Sequence, residues 1–450
     1  MTATTYWSPR ALLPEGVRKR VRLTVEDGLI TAVGVGVRPE PNDVVLEGLV
    51  RPGFANAHSH AFHRALRGRT HADGGTFWTW RERMYAVTTA LDPLTYQSLA
   101  RGAFAEMVLA GYTVVGEFHY LHHGPGGVPY PDPNAMGRAL LTAAEEAGIR
   151  ITLLDTVYLA GGLSASGHEP LDETQLRFAD ESVEAWQQRV TLLAPTTTAR
   201  HGAAIHSVRA VARESLGEVA RYAAAGLGRS AAGPAPLHIH LSEQPGENIA
   251  CEQFYGLTPT ALLHAEGVLS DTLTAVHATH LTDADTDALG RATATVCLCP
   301  TTERDLADGI GPARALVDAG ARLCIGSDQH AVVDPFEEVR AVELHDRLDS
   351  LERGRFSPEA LDPIGSAHGY ASVGWPEGGT LRQGALADFI AVRLDSPRTA
   401  GAYPDQVVFA AGAPDVTDVI VAGRHVVAGG VHALGPVGPL LAAAIARVQP

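Results

Sequence analysis

The 450-residue sequence predicts an α/β fold: a (β/α)8 TIM-like barrel carrying a small β-sandwich domain formed by both chain ends. Three observations predict it. Eight short β-rich runs lie between residues 53 and 328, helix-like segments separate most of them, and strand patterns return at the two ends of the chain.

The elements follow in chain order. VRLTVEDGLITAVG (21–34) is a hairpin pattern with Asp27-Gly28 at its turn. The eight runs are GFANAH, TVVGEFHY, RITLLDTVY, VTLLAP (190–195), PLHIHLSE, LTAVHATH, TATVCLCP and ARLCIGSD. DPLTYQSLARGAFAEMVLAG, NAMGRALLTAAEEAG, SVRAVARESLGEVARYAAAG (207–226) and GPARALVDAG read as helices, each closing on the Gly that a helix C-terminus favours. A doubly wound sheet is the alternative, but it would leave the polar strand ends unexplained. Two helical stretches follow near 335–375, then strand patterns in GALADFIAVRLD and DVTDVIVAGRHVVAGG. The expected organisation is therefore 1–50 and 376–450 as the two parts of the small β domain, with 51–375 as the barrel. AAAGLGRSAAGPAP (223–236) reads as a surface loop.

Composition narrows the function. With 51 acidic against 35 basic residues the net charge is −16, which argues against general affinity for nucleic acid or an anionic membrane. A small-molecule partner is expected. The start, MTATTYWSPR, lacks the pattern of a secretory signal, and no apolar run approaches the roughly 18 residues of a membrane span, so a soluble, cytoplasmic protein is expected. Cys251, Cys297, Cys299 and Cys324 lack metal or disulfide spacing and read as buried thiols. Lys19 is the only lysine, which excludes Schiff-base, P-loop and lysine-bridged chemistry elsewhere in the chain.

Residues 56–71, NAHSHAFHRALRGRTH, hold four histidines. His58 and His60, at spacing i, i+2 after the first strand, point to one face. The fifth strand ends in His238-Ile-His240, the sixth carries His277 and the eighth ends in Ser327-Asp328. All lie at C-terminal strand ends, where barrel active sites form. A carboxylate and three histidines would suit a zinc-like site with room for water. His63, His71, His119, His122, His123 and His280 are too many to be ligands, and His238 reads as a packed histidine.

PGFANAHSH, HIHLSE, VHATH and IGSD, in this order, resemble the amidohydrolase superfamily over nearly the whole chain. HSHAFHRAL, FWTWRERMY, GEFHYLHH and IHSVRAV resemble its formimidoylglutamate deiminases, enzymes of histidine degradation. The resemblance implies one zinc ion per chain on His58, His60, His240 and Asp328, with Glu243, His277 and Asp328 as the catalytic set. It also implies that Arg81, Tyr120, His206 and Arg209 hold the glutamyl part of a substrate with carboxylates, and that His63 makes a further contact where the family pattern has Gln. A homodimer is the expected assembly. Asp328 and His277 would take and orient a proton of the attacking water, and Glu243 would pass one to the leaving nitrogen. A formimino-aspartate stays open as a close analogue of the substrate, and two other readings stay open: a deaminase of another amidine, a purine or a triazine, and a barrel that binds metal without catalysis. The first would need stacking surfaces in place of two arginines; the second would not need Glu243 and His277.

Overall fold

The computed structural model describes residues 3–449 apart from 72–74, 76 and 229–232. The chain opens with strands β1 (Thr4–Leu13), β2 (Gly16–Glu26), β3 (Leu29–Val35), β4 (Val44–Val45) and β5 (Leu49–Pro52). The β2–β3 turn falls on Asp27 and Gly28, both at positive φ (50° and 77°), as a tight two-residue hairpin requires. Next come β6 (Phe54–Ser59), helices α1 (Phe77–Thr89) and α2 (Pro93–Ala110), β7 (Tyr112–His119), α3 (Ala135–Ala147), β8 (Arg150–Val157) and a small hairpin, β9 (Gly162–Ser164) with β10 (Gly167–Glu169). Then follow α4 (Val183–Val190), β11 (Ala199–Ile205), α5 (Arg213–Ala224), β12 (Leu237–Leu241), α6 (Pro245–Tyr255), α7 (Pro259–Ala265), β13 (Leu273–His277), α8 (Asp283–Arg291), β14 (Thr295–Leu298), α9 (Pro300–Leu306), α10 (Ala313–Ala319) and β15 (Arg322–Ile325). The chain ends with α11 (Pro335–Ser350), α12 (Pro358–Gly365), α13 (Ala367–Ser372), β16 (Phe389–Val392), β17 (Val416–Val421), β18 (Arg424–Ala428), β19 (Val431–His432) and α14 (Val437–Arg447).

Eight parallel strands, β6, β7, β8 and β11 to β15, pair in sequence order. An isolated parallel bridge, Ser59 to Asp328, joins the last to the first. Asp328 donates its N–H to the His58 carbonyl (3.0 Å) and accepts from the His60 N–H (3.1 Å), so the seam that closes the barrel runs between site residues. Gly326 lets the two backbones meet there. A Cβ on it would lie 2.7 Å from the His58 Cβ.

The lower barrel is filled by small apolar residues from the strands, including Ala55, Ala57, Val114 and Val276, and by Tyr370, Val373 and Trp375 from α13 and the turn after it. His238 belongs to this plug. Its Nε2 donates to the Ser372 carbonyl (2.9 Å) at the end of α13, the packed role expected for it. The second sheet runs β19-β18-β17-β16-β5-β1-β2-β3 with β4 on β1, so strands from both chain ends share one sheet. The last helix, α14, leaves that sheet and packs on α2, Leu441 against Gly102.

Three expectations are corrected. The fourth barrel strand is Ala199–Ile205, ARHGAAI, and residues 190–195 are the end of α4 and the turn after it. Packing selects small residues in that strand: a Cβ on Gly202 would lie 2.7 Å from Leu154 Cδ2. β-rich composition therefore points to the wrong segment. The helix expected from 207 begins at Arg213, which leaves Arg209 in a loop above the strand ends. Helices α11, α12 and α13 occupy 335–372 where two were expected. Residues 229–232 of the expected loop lie outside the described residues. Among the described residues, no helix is long and apolar enough to cross a membrane.

Candidate active site

Strand periodicity brings the imidazoles together. His60 and His240 face each other with their Nε2 atoms 3.3 Å apart, and His58 Nε2 lies 3.2 Å from that of His240. Asp328 Oδ1 is 3.4 Å from His58 Nε2 and 3.5 Å from His60 Nε2. Tautomers decide what this cluster means. His60 Nδ1 donates to the Phe118 carbonyl and His240 Nδ1 to the His206 carbonyl, both at 2.9 Å, and a carbonyl can only accept. Burial drives the His60 pKa down to about 3 and holds those of His58 and His240 below the usual imidazole value, so the rings are neutral. The Nε2 atoms of His60 and His240 are therefore bare lone pairs aimed at one another beside a carboxylate. A cation is what such a donor set lacks, and three nitrogens with one oxygen suit zinc while leaving a position for water.

His277 stands beside this group among carboxylates: Glu303 at 3.5 Å from Nδ1, and Glu243 and Asp328 each at 3.8 Å from Nε2. Burial lowers its pKa, but these carboxylates outweigh burial and lift it to about 10. Burial raises Glu243 against the opposing pull of His277 and Arg209. Asp328, although buried, is held well below the usual carboxylate range by its hydrogen bond from His58 and by His277. Five residues at these strand ends have positive φ without being glycine: Ser242 (49°), His277 (68°), Ala278 (50°), Asp328 (41°) and His330 (59°). Backbone strain of this kind concentrates where side chains must be aimed.

A buried network that the sequence analysis did not single out supports the first strand. Glu117 accepts from Ser59 Oγ (2.6 Å) and from the Ala61 N–H (2.7 Å), and burial raises its carboxyl to about 8. Asn56 donates to Ser327 Oγ (2.7 Å), which also pairs with His330 Nδ1 (2.9 Å). These contacts fix the turns on both sides of the seam.

Above the imidazoles opens a cavity of about 230 Å³ lined by His60, His240, Glu243, His277 and Asp328, and also by His63, Arg81, Tyr120, His206 and Arg209. Every residue expected to contact substrate thus lines one cavity with the acid–base groups. His58 lies beneath it, fully buried. His63 Nε2 meets Tyr120 Oη at 3.1 Å. Arg81, on α1, donates from Nε to Tyr85 Oη (2.8 Å) and lies over the Tyr85 ring, so it is both stacked and in the cavity wall. His206 follows β11, its ring 4.6 Å from that of Tyr158. Arg209 donates from Nε to Glu247 (3.1 Å) and approaches Glu243 at 3.8 Å.

Tyr85, Tyr158 and Gln175 were missed. Gln175 Nε2 donates to the Gly161 carbonyl (2.8 Å) and lies within hydrogen-bond distance of the Tyr158 (3.1 Å) and Tyr85 (3.2 Å) hydroxyls, tying α1 to the loop after β8 at the cavity wall. A helix residue and a loop residue paired across the mouth leave no periodic signal in sequence.

His119, His122 and Asp155 also lie close enough to share an ion. Arg189 already occupies that carboxylate, with two hydrogen bonds to Asp155 at 2.8 Å, so the cluster is a charge network and not a cation site. Cys297, Cys299 and Cys324 are buried between barrel strands with thiols pushed up, as expected of inert cysteines.

Residues 49–426 match the Amidohydrolase family. The chain is 37% identical over 447 residues to the formimidoylglutamate deiminase of Pseudomonas aeruginosa, with 95% of each chain covered. Among solved structures it is similar to an amidohydrolase from Brucella melitensis (TM-score 0.88, 31% identity, 99% of each chain covered). It also shares its fold with an adenosine deaminase from Xanthomonas campestris with bound zinc (TM-score 0.81, 23% identity, 99% and 97% covered). The chain belongs to the amidohydrolase family and is a hydrolase that acts on C–N bonds.

Proposed function

We propose that this chain hydrolyses N-formimino-L-glutamate to N-formyl-L-glutamate and ammonia, using one zinc ion per chain, as a step of histidine degradation. The observation that carries the reading is a single cavity lined both by the imidazole–carboxylate cluster and by two guanidinium groups, Arg81 and Arg209. A dicarboxylate loses hydration on entering such a cavity, and guanidinium N–H pairs restore it. The 37% identity to a relative of that activity over nearly the full length supports the same assignment.

A divalent ion held by His58, His60, His240 and Asp328 would bring the pKa of an adjacent water toward neutrality and so provide the nucleophile. The residues do the rest. Arg209 and Arg81 orient the carboxylates so that the formimino carbon lies over the floor. Asp328 Oδ2 takes a proton from the water, and His277, held protonated among its carboxylates, orients it. Glu243, whose pKa burial raises, delivers a proton to the imino nitrogen as the C–N bond breaks. The balance closes because one water supplies the formyl oxygen and both protons that leave with ammonia.

The test is ammonia release by the zinc-loaded protein against N-formimino-L-glutamate, N-formimino-L-aspartate, guanine and cytosine. The formimino-glutamate is expected to be the preferred substrate. Preferred turnover of a nucleobase would overturn the reading.

A further inference from the structure

Arg209 is within reach of two carboxylates, and the structure divides them unequally. Its Nε donates to Glu247 Oε2 at 3.1 Å, whereas its Nη2 is 3.8 Å from Glu243 Oε2. Glu247 lies in the first turn of α6 with its side chain 1% exposed, and its other oxygen accepts the Ser242 N–H (3.1 Å). Ser242 is the positive-φ residue just before Glu243. One buried carboxylate therefore grips both the guanidinium and the turn that aims the acid–base group. On the opposite side the Arg209 carbonyl accepts from His168 Nδ1 (3.2 Å), which pins the loop to the β9–β10 hairpin.

We infer that Glu247 is a positioning residue that holds Arg209 by Nε, keeping its Nη edge toward the cavity for a substrate carboxylate and away from Glu243. This inference rests on the reading above, in which Arg209 meets such a carboxylate. The geometry explains why Glu247 does not consume the guanidinium. With Oε1 committed to Ser242, only Oε2 is available, so the two-bond pairing that Arg prefers stays open for the substrate. Glu247 also gives the half-buried guanidinium a counter-charge while no substrate is bound. Without Glu247, Glu243 is the carboxylate left beside Arg209. The guanidinium then turns from the cavity toward the group that must move the proton.

Glu247→Gln separates these functions, because its amide oxygen can still accept from Ser242 while its NH2 cannot accept from Arg209. Zinc-loaded wild type and variant are titrated with glutarate by calorimetry and assayed on N-formimino-L-glutamate. The glutarate Kd and the KM are expected to rise by about tenfold or more, the scale of a close charge pair, with zinc content unchanged. In an Arg209→Met background the same substitution is expected to move neither value further. Glu247→Asp, which keeps a carboxylate, is expected to lose less. Unchanged Kd and KM, equal loss in the Asp and Gln variants, or a full additional loss in the Arg209→Met background would overturn the inference, as would a wild type that binds no glutarate. A wild type that binds glutarate, weakens on Glu247→Gln, and releases no ammonia from N-formimino-L-glutamate would instead overturn the proposed substrate and leave the role of Glu247 standing.

Discussion

Asp328 faces two ways. Its Oδ1 is turned to His58 and His60, and its Oδ2 to His277. Asp328→Ala is therefore expected to lose both metal and proton transfer, and His58→Ala to lose most of the metal; metal analysis of the purified variants checks both. Glu243 stands outside the ligand cluster, so Glu243→Gln should retain the ion and lose roughly 10²-fold or more in kcat, the usual scale of an acid–base group. Near-normal turnover would reduce Glu243 to a structural carboxylate. His58 and His60 are legible in sequence because alternate residues of a strand share a face, His277 because a predicted strand carries it, and Asp328 because it closes one. Glu117 and Glu247 are not legible. A glutamate inside a strand or at the start of a helix looks the same in sequence whether it is solvated or buried against a turn.

Elements show where that legibility ends. Strand β11 carries Gly202 where Leu154 and Pro236 leave no room for a side chain, and Ile205 alone of its seven residues is of the β-branched kind by which strands are recognised. The barrel seam sets the same steric demand at Gly326. Gly326→Ala would press a methyl against His58 at 2.7 Å, and the expected result is weaker zinc binding together with a stability loss of about 1–3 kcal/mol. Metal titration alongside denaturation separates the two effects, and full metal affinity would show that the seam yields without moving His58. A second element-scale device is the clamp of α4 on β8 by Arg189, Asp155 and Asp180. Burial alone would raise Asp155, but Arg189 and His122 hold it well below the usual carboxylate range. Its folded pKa thus lies under the unfolded value of about 3.9, so its contribution is complete above that pH and fades as pH falls through the folded value. Asp155→Asn should lower stability at neutral pH and flatten the acid side of the stability profile below about pH 4. A parallel shift of the whole profile would place the acid sensitivity elsewhere.

The barrel divides the work of the whole molecule between its two ends. The C-terminal strand ends carry the cavity, and the N-terminal ends meet α13 and the sheet made by the chain termini. Asp388, just before β16, is fully buried where these parts join. It accepts from Arg150 Nε at the start of β8 (2.6 Å), from the Tyr370 hydroxyl on α13 (2.9 Å) and from the Ala422 N–H between β17 and β18 (2.7 Å). The Tyr370 hydroxyl continues the network to Thr113 on β7 (2.7 Å). Arg150 is itself buried, and Trp375 stacks beside it at 5.0 Å. Asp388→Asn keeps the shape and removes the charge, so Arg150 would be left in the interior without its counter-ion, at a cost of about 3–5 kcal/mol. Nothing in this network reaches the imidazole cluster, whose residues lie at the other end of the strands. The variant is therefore expected to unfold at a clearly lower denaturant midpoint while keeping its zinc content and, below its unfolding transition, the kcat/KM of the wild type. Loss of metal or activity in the folded variant would show instead that the chain-end sheet holds the catalytic strands in register, and that the two ends of the barrel are coupled.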